Sequence, residues 1–375
     1  MKKYRKLAAV LAIMVALLLS GCGKKEFGFE SGGSRSQSTQ SIRKEKLELS
    51  GGQISLQEKE TLLVYDIYED EMLCGIITPI EEHAMHSGIV SYTRIIFVWN
   101  RKERQINLSL NLKPEEYLIA SAVLEEEGAC FSAMPVKSDF EKDSGQLWDI
   151  LTTDFSQVVL IDSGKAPFYA NAGTPTIVRQ DDGIKYMYYD LSSPNGKWGI
   201  KRIEGISSSD MGVDFEEIQP ENIILAGQNR QPAFLAVRNG VEGIAVWEDG
   251  KFLFVENSDG TIYALTTQAG KVIYSCGEKN NSQLYYLTVY DIATGKKQQI
   301  QTSTPLTKLA ATETFLLAAG SDWNTYQIVI REKEIEVCEY EIYPEKDAFM
   351  FIPSDDEVLV NNLMDYRQMC FITKE

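Results

Sequence analysis

The chain has 375 residues, a formal net charge of −17 at neutral pH and six cysteines. An acidic protein of this kind repels phosphate backbones, which argues against nucleic acid as a partner. The cysteines are widely scattered and show no CxxC spacing, so a disulfide framework and a cysteine-based zinc or redox site are both disfavoured.

The first 21 residues have the pattern of a secretory signal peptide. Lys2, Lys3, Arg5 and Lys6 form a basic head, and the uncharged, mostly apolar stretch from Leu7 to Gly21 follows. This stretch is shorter than the roughly 20 residues that a membrane-spanning helix needs. A slightly short membrane anchor helix is the alternative interpretation.

Residues Leu19-Ser20-Gly21-Cys22 end the apolar stretch. They resemble the lipobox of bacterial lipoproteins, in which the signal peptide is removed before the cysteine and the cysteine sulfur carries a diacylglyceryl group. The resemblance implies lipidation of Cys22 and attachment to the extracytoplasmic face of the cell membrane. Acyl chains contribute about 0.8 kcal/mol per buried methylene, so such an anchor holds without spanning the bilayer.

Residues 22–50 are rich in Ser, Gly, Gln and charge, which predicts a flexible linker after the lipidated cysteine. Residues 51–375 then form one predicted domain. Without residues 1–21, which carry four positive charges, the formal charge of the chain becomes −21. This acidic domain could favour cations or basic peptides, although a well-solvated surface is the simpler explanation.

Short runs of Val, Ile, Tyr, Phe and Leu alternate with Gly, Asp and Asn turns throughout residues 51–375, as in TLLVYDIY, RIIFVWN and LYYLTVYDI. Such runs predict many β-strands, and Asp-Gly pairs such as Asp182-Gly183 predict hairpin turns. Pro114 to Gly128 could be a helix, but a strand is favoured there. The absence of long alternating helices excludes a doubly wound α/β fold and leaves a closed or radially repeated all-β architecture.

Four tryptophans repeat at blade-like intervals: Trp99, Trp148, Trp198 and Trp247 are 49 to 50 residues apart. Dividing the domain by a repeat of about 45 residues predicts a β-propeller of about seven four-stranded blades, with six or eight possible. The end of the chain supplies three strand-like runs. A segment from Gln53 to Gln57 is predicted to complete that last blade as its fourth strand, which would close the ring without free edges.

Two overlapping segments carry recognisable repeat signatures. SDGTIYALTTQAGKVIYSC, with Asp259, Gly260 and the Gly270-Lys271 pair, resembles the repeat of PQQ-type propellers, whereas YDIATGKK, with Asp291 and Gly295-Lys296, resembles the TolB-like, WD40-like repeat. Both families place the Gly-Lys pair between the last two strands of a blade. Because Gly270 and Gly295 are 25 residues apart, at most one assignment is correct. The matched residues are scaffold, and no cofactor is expected.

Few residues suggest chemistry. The only two histidines, His83 and His86, lie beside Glu82 and could bind a divalent metal, although a solvated loop is the favoured interpretation. Carboxylates are abundant, with Asp66, Glu69, Asp70 and Glu71 in one run, but no catalytic motif or sialidase-type Asp box accompanies them.

Two groups of tyrosines could form stacking surfaces for a sugar or a peptide, although packing is the favoured role for each of them. They are Tyr186, Tyr188, Tyr189, Tyr285, Tyr286 and Tyr290.

The sequence therefore predicts a membrane-anchored, extracytoplasmic lipoprotein. Its propeller would be a non-catalytic binding or scaffold module for a protein, peptide or glycan at the cell envelope. A carboxylate-dependent cell-surface hydrolase or lyase on a propeller fold is the alternative. No nucleic-acid partner is expected.

Overall fold

The computed structural model describes residues 42–47, 54–80, 91–114, 116–136, 146–166, 174–180, 182–191, 197–213, 215, 218–226, 233–248, 251–257, 260–278, 281–332, 334–342, 348–363 and 365–374. These residues form 28 strands arranged as seven four-stranded antiparallel sheets. Each sheet is one blade of a ring, and the predicted seven-bladed β-propeller is confirmed. No helix among the described segments is long and apolar enough to cross a bilayer.

The strands follow one another from the inside of each blade to the outside. Blade 1 contains β2 (Thr61–Tyr68), β3 (Glu71–Pro79), β4 (Ser91–Asn100) and β5 (Gln105–Asn111). Blade 2 contains β6 (Tyr117–Glu125), β7 (Gly128–Pro135), β8 (Gln146–Thr153) and β9 (Val158–Ala166). Blade 3 contains β10 (Thr176–Gln180), β11 (Gly183–Asp190), β12 (Lys197–Glu204) and β13 (Ser207–Asp210). Blade 4 contains β14 (Gln219–Ala226), β15 (Ala233–Arg238), β16 (Val241–Glu248) and β17 (Lys251–Glu256).

The second half of the ring has the same order. Blade 5 contains β18 (Ile262–Gln268), β19 (Lys271–Glu278), β20 (Asn281–Asp291) and β21 (Lys297–Thr302). Blade 6 contains β22 (Leu306–Ala311), β23 (Leu316–Gly320), β24 (Thr325–Ile330) and β25 (Ile335–Glu339). Blade 7 contains β26 (Phe349–Pro353), β27 (Glu357–Asn362), β28 (Cys370–Lys374) and, as its outer strand, β1 (Ile42–Lys46). The first strands of neighbouring blades contact one another, for example β2 with β6 and β26, which places them on the inside of the ring.

Burial follows the position of a strand within its blade. The middle strands lie between two neighbouring blades, so β3 is buried on both faces and reads as the continuous apolar run MLCGII. The outer strand β5, in contrast, is exposed at most of its positions. The segment from Pro114 to Gly128 contains the strand β6, as favoured from the sequence.

The four regularly spaced tryptophans all lie in third strands, namely β4, β8, β12 and β16 of blades 1 to 4. Each interval therefore leads from one blade to the next, although the four tryptophans do not occupy equivalent positions. Trp99 and Trp247 lie near the ends of their strands, whereas Trp148 and Trp198 lie near the beginnings. This difference in position explains why the sequences around them differ.

The ring is closed by a different strand from the one predicted. β1 pairs with β28 in antiparallel register, from Ile42 opposite Lys374 to Lys46 opposite Cys370. The prediction that Gln53 to Gln57 supplies this strand was wrong, and the observed strand lies within the residues expected to be linker. Its sequence, IRKEK, is exposed at four of five positions and so lacks the apolar alternation that marks a half-buried strand.

The turns also decide the phase of the repeats. Gly295 lies between β20 and β21, the last two strands of blade 5, where the Asp291 carboxylate accepts hydrogen bonds from the backbone N–H (2.8 Å) and hydroxyl (2.6 Å) of Thr294. Gly270 lies between β18 and β19, the first two strands. The blade phase implied by the TolB-like resemblance is therefore the observed one, and the phase implied by the PQQ-type resemblance was wrong, because a hairpin turn has the same local signature at either place.

Candidate binding cleft

The candidate site lies on one of the two faces of the ring. We call this the cleft face, defined by the turns that join the first to the second strand and the third to the fourth strand of each blade. In blade 1 these turns contain Glu69-Asp70 and Arg101–Arg104, and in blade 7 the first such turn contains Ser354–Asp356. Turns are the usual location of binding residues on a rigid β scaffold.

A cleft of about 710 Å³ opens on this face where blades 7 and 1 meet. Side chains from three blades line it: Asp66, Tyr68, Glu69, Asp70 and Arg101 of blade 1, Arg179 and Gln180 of blade 3, and Asp355, Asp356 and Glu357 of blade 7, among others. Six carboxylates and two arginines give the cleft a formal charge of −4.

One end of the cleft is formed at the inner strands. Arg179 of β10 donates hydrogen bonds to Asp66 of β2 and to the Leu124 carbonyl of β6, and the Leu124 N–H donates to Asp66 at 2.7 Å. The guanidinium of Arg179 also lies over the Tyr68 ring, 4.6 Å from its centroid. This ion pair and its two hydrogen bonds to the Leu124 backbone thus join the first strands of blades 1, 2 and 3.

Burial opposes the charge of Asp66. It raises the pKa of this carboxyl group, although the Arg179 guanidinium and the Leu124 N–H act in the opposite direction. The side chain is 15% exposed, so the group is largely withdrawn from water.

The other end of the cleft crosses the junction at which the ring closes. Arg101 of blade 1 forms a bidentate ion pair with Glu357 of β27, in which Arg101 Nη2 lies 3.0 Å from Glu357 Oε2. The guanidinium stacks 3.8 Å above the centroid of the Phe371 ring. Burial raises the pKa of Glu357, and the nearby Asp70 carboxylate adds to this effect while Arg101 opposes it.

The remaining carboxylates give the cleft its negative character. Asp70 forms an ion pair with the highly exposed Lys102, and Glu69, Asp355 and Asp356 line the opening. These four side chains outnumber the cations beside them, since the two arginines of the lining are already paired with Asp66 and Glu357. A cationic ligand should therefore bind here more favourably than a neutral or anionic one. Part of the lining is withdrawn from water, and charges interact more strongly in such surroundings.

A second cleft on the same face provides a comparison. It lies between blades 5 and 6, has a volume of about 790 Å³ and contains three basic and three acidic side chains. They are Lys271, Lys296, Arg331, Asp291, Glu313 and Glu332. Its formal charge is zero, so the negative charge at the junction of blades 7 and 1 is not a general property of the gaps between blades.

The structure brings together three of the four residues of the acidic run. Asp66, Glu69 and Asp70 line the cleft, whereas Glu71 begins β3 and accepts a hydrogen bond from Asn107 at 3.2 Å. Arg101, Arg179 and the Asp355–Glu357 segment were not identified from the sequence. The acidic segment SDDE at residues 354–357 is apparent in the sequence. Only the phase of the blades, however, shows that it lies on the same face as the acidic run at Asp66.

The tyrosine groups serve packing. Tyr186 is fully buried, and its hydroxyl donates to Asp162 at 2.5 Å. Tyr188 packs against Trp148 with ring centroids 5.6 Å apart, and Tyr285 packs edge-on against Tyr263. The two groups belong to blades 3 and 5 and do not form one surface.

Other candidate residues lie elsewhere or outside the described part. Cys22, Glu82, His83 and His86 are outside the described residues. Within the described segments, no group of three His, Cys, Asp or Glu side chains could hold a metal ion. The five cysteines after Cys22 form no disulfides; four of them are buried and Cys338 is half-buried.

The fold and cleft define a single-chain, seven-bladed β-propeller with an acidic groove across its closing junction. No protein-family model matches the chain, and no curated protein shows detectable sequence similarity. Its similarity to solved structures lies in the fold. YCF48 bound to D1 peptide has a TM-score of 0.50 and 11% identity over 91% of this chain and 97% of that one.

Two other solved structures show a similar level of identity. A chain of the mitotic checkpoint complex has a TM-score of 0.49 and 11% identity over 94% of this chain and 99% of its own. BamB from Moraxella catarrhalis has a TM-score of 0.41 and 12% identity over 85% of this chain and 99% of its own. At identities this low, the similarity concerns the β-propeller architecture alone.

Proposed function

We propose that the protein is a lipid-anchored, extracytoplasmic binding module that holds a cationic segment of a protein or peptide at the cell envelope. The observation that carries the proposal is the cleft of charge −4 at the junction of blades 7 and 1. The sequence of residues 1–22 supports the membrane anchor, with Cys22 as its lipidated residue.

The chemistry of the cleft suits basic side chains. Carboxylates on two turns, at Glu69-Asp70 and Asp355-Asp356, provide acceptors for guanidinium or ammonium donors. Tyr68, a residue that is 39% exposed at the edge of the cleft, already carries the Arg179 guanidinium over its ring, which shows that an arginine can stack there. The volume lies within the range of pockets that take a small ligand or several side chains.

The ion pairs within the cleft favour binding over carboxylate catalysis. A hydrolase needs a carboxyl group that can exchange a proton with its substrate. The two carboxyl groups of the cleft whose pKa is raised, Asp66 and Glu357, are each paired with an arginine from a different blade. They therefore hold separate blades together, and the geometry gives less support to the hydrolase or lyase alternative.

A peptide-binding measurement tests the proposal. The full chain in detergent is titrated with a fluorescent Arg-rich peptide, and the double variant Asp355→Asn/Asp356→Asn is compared with Glu126→Gln/Glu127→Gln. The second variant removes the same charge from exposed positions in the first turn of blade 2, on the same face but outside the cleft. We expect at least tenfold weaker binding for the cleft variant and less than a twofold change for the control.

Salt and partner capture complete the test. Binding should weaken as salt rises because surface charges are screened, and a Glu-rich peptide should not bind. Equal losses in the two variants would show that only the overall charge matters and would contradict the proposal. The wild type and the cleft variant are then used as baits in envelope extracts. One stoichiometric protein that the wild type captures and the cleft variant loses supports the proposal, whereas capture of glycan alone, or of nothing, counts against it.

A further inference from the structure

The outer strands of the blades differ in how they protect their free edges. An outer strand presents backbone donors and acceptors that have no neighbouring strand, and proteins usually interrupt such edges with charges, bulges or short length. In the described part of this ring, six of the seven outer strands carry such a device. The exception is β17 of blade 4.

The six protected strands show three devices. β5 and β9 contain a register shift against their neighbours, and β13 is only four residues long. β1 and β25 carry charged residues along their length, and β21 is polar at all but one position within KQQIQT.

β17 has none of these devices between its two ends. Its sequence KFLFVE places four consecutive apolar residues between Lys251 and Glu256, without proline or glycine. Its register with β16 is regular along the whole strand, from Gly243 opposite Glu256 to Glu248 opposite Lys251. A regular apolar edge of this kind is a template for pairing with another strand.

The sequence of β17 is compatible with pairing to itself. In an antiparallel pair centred on Leu253, this residue faces Leu253 of the second copy, and Phe252 of each copy faces Phe254 of the other. Lys251 faces Val255 and lies within one residue of Glu256 of the second copy. No like charges stand opposite each other, and two aromatic pairs add stabilisation of about 0.2 to 1 kcal/mol each.

We propose that β17 is a strand-addition site for a second copy of this chain, which joins two fourth blades into one eight-stranded sheet. The pairing has two-fold symmetry, as expected for a homodimer. It leaves the acidic cleft free, because the cleft belongs to blades 1, 3 and 7. The dimer and the proposed cationic ligand are thus independent.

Antiparallel pairing turns one ring over relative to the other, so the two copies of Ile42 lie towards opposite ends of the dimer. Residues 22–41 can span at most about 70 Å when fully extended. The height difference between the two copies of Ile42 is about one strand length, and a strand of six residues is only about 20 Å long. Both chains can therefore reach the same membrane if each is anchored at Cys22.

Cysteine cross-linking of the full chain in membranes tests the proposal. Leu253→Cys is compared with Leu160→Cys, which lies on the outer strand β9 and replaces a residue that is 54% exposed. Random collisions should favour the more exposed position 160. A symmetric pair brings the two introduced thiols at position 253 close enough for a disulfide, since facing Cβ atoms lie about 4.5 to 5.5 Å apart.

We expect a disulfide-linked dimer for Leu253→Cys under mild oxidation, formed at least tenfold faster than for Leu160→Cys. Equal rates would overturn the proposal, and so would cross-linking of position 253 to a different protein. As a second measurement, Leu253→Lys places two ammonium groups opposite each other. Sedimentation of this variant in detergent should show at least tenfold weaker dimerisation with an unchanged melting temperature, whereas unchanged dimerisation would contradict self-pairing through β17.

Discussion

Arg94 and Glu60 form a bidentate ion pair that fixes the chain just before the first strand of blade 1. Arg94 Nε donates to Glu60 Oε1 at 2.7 Å and Nη2 donates to Oε2 at 2.9 Å. The Glu60 side chain is only 1% exposed. The Gln57 N–H and the Thr78 hydroxyl complete its partners at 2.8 Å and 2.7 Å, so the connection between β1 and β2 is attached to β3 and β4.

Loss of this pair should destabilise the protein in a pH-dependent way. Burial alone would raise the pKa of Glu60, but the hydrogen bonds from Arg94, Gln57 and Thr78 lower it overall. The ionised pair therefore stabilises the fold above the ordinary glutamate pKa, and this contribution disappears as the pH falls through the lower pKa of the folded state. Arg94→Met should cost about 2 to 4 kcal/mol at pH 7.

Chemical denaturation at several pH values measures the effect. The difference between the wild type and Arg94→Met should shrink as the pH falls below the ordinary glutamate pKa and through the lowered pKa of Glu60. Arg331→Met, which removes a half-exposed arginine paired with Glu336, is a control and should cost less than about 1 kcal/mol. A pH-independent loss in Arg94→Met would show that packing of the arginine stem, rather than the ion pair, is responsible.

Asp149 should have the opposite pH dependence. Burial raises its pKa to about 6, although a hydrogen bond from Tyr117 lowers it slightly. Its ionisation therefore costs stability as the pH rises from the ordinary aspartate value to about 6. Because the group is partly exposed, Asp149→Asn should gain only about 1 kcal/mol at pH 7 and nothing at pH 4.

Thermal melting at pH 4 and pH 7 tests this difference. Asp154→Asn is the matched control, because Asp154 lies in an exposed turn where hydrogen bonds from Ser156 and Gln157 lower its pKa. This control should lose stability at pH 7. A gain in both variants would point to a general effect of reduced negative charge.

The closing strand should contribute strongly to the stability of the fold, whereas the residues before it should contribute little. A chain that begins at residue 42 keeps β1, but a chain that begins at residue 47 loses the whole outer strand of blade 7. It also loses the hydrogen bond from Lys44 to the Ile342 carbonyl. We expect the first chain to melt near the full-length temperature and the second at least 10 °C lower. Equal melting temperatures would mean that three strands suffice for blade 7.

The predicted lipidation of Cys22 can be measured directly. Cys22→Ala should retain residues 1–21 and lack the lipid mass in mass spectrometry, while the retained apolar stretch keeps it in the detergent phase. Cys338→Ala, which replaces a half-buried cysteine of β25, should behave like the wild type. If Cys22→Ala still carries the lipid mass, another residue is the anchor.

Much of the ring could be predicted from the sequence because its strands are short, apolar and separated by turn residues. The middle strands, such as β3, are buried on both faces and stand out as continuous runs. β1 could not be predicted in this way, since Ile42 is its only apolar residue and its partner β28 lies at the other end of the chain.

The cleft was harder to predict than the fold. Asp66 and Arg179 are 113 residues apart, and Arg101 and Glu357 are 256 apart. Nothing in either local sequence indicates the other member of the pair. They meet because their blades occupy particular places in the ring and their turns share one face, information that becomes available only once the blade number and phase are known.

The pairing of β1 with β28 also sets the order in which the molecule can be completed. Strand β1 is made early, yet its hydrogen-bonding partner is the last strand of the chain. Until β28 has been synthesised, the ring remains open and β1 has no strand to pair with. Contacts between such distant segments form slowly, because a large loop must close first. Blade 7 should therefore be the last to assemble, and hydrogen exchange should find the junction beside Arg101 and Glu357 the first part of the mature ring to open.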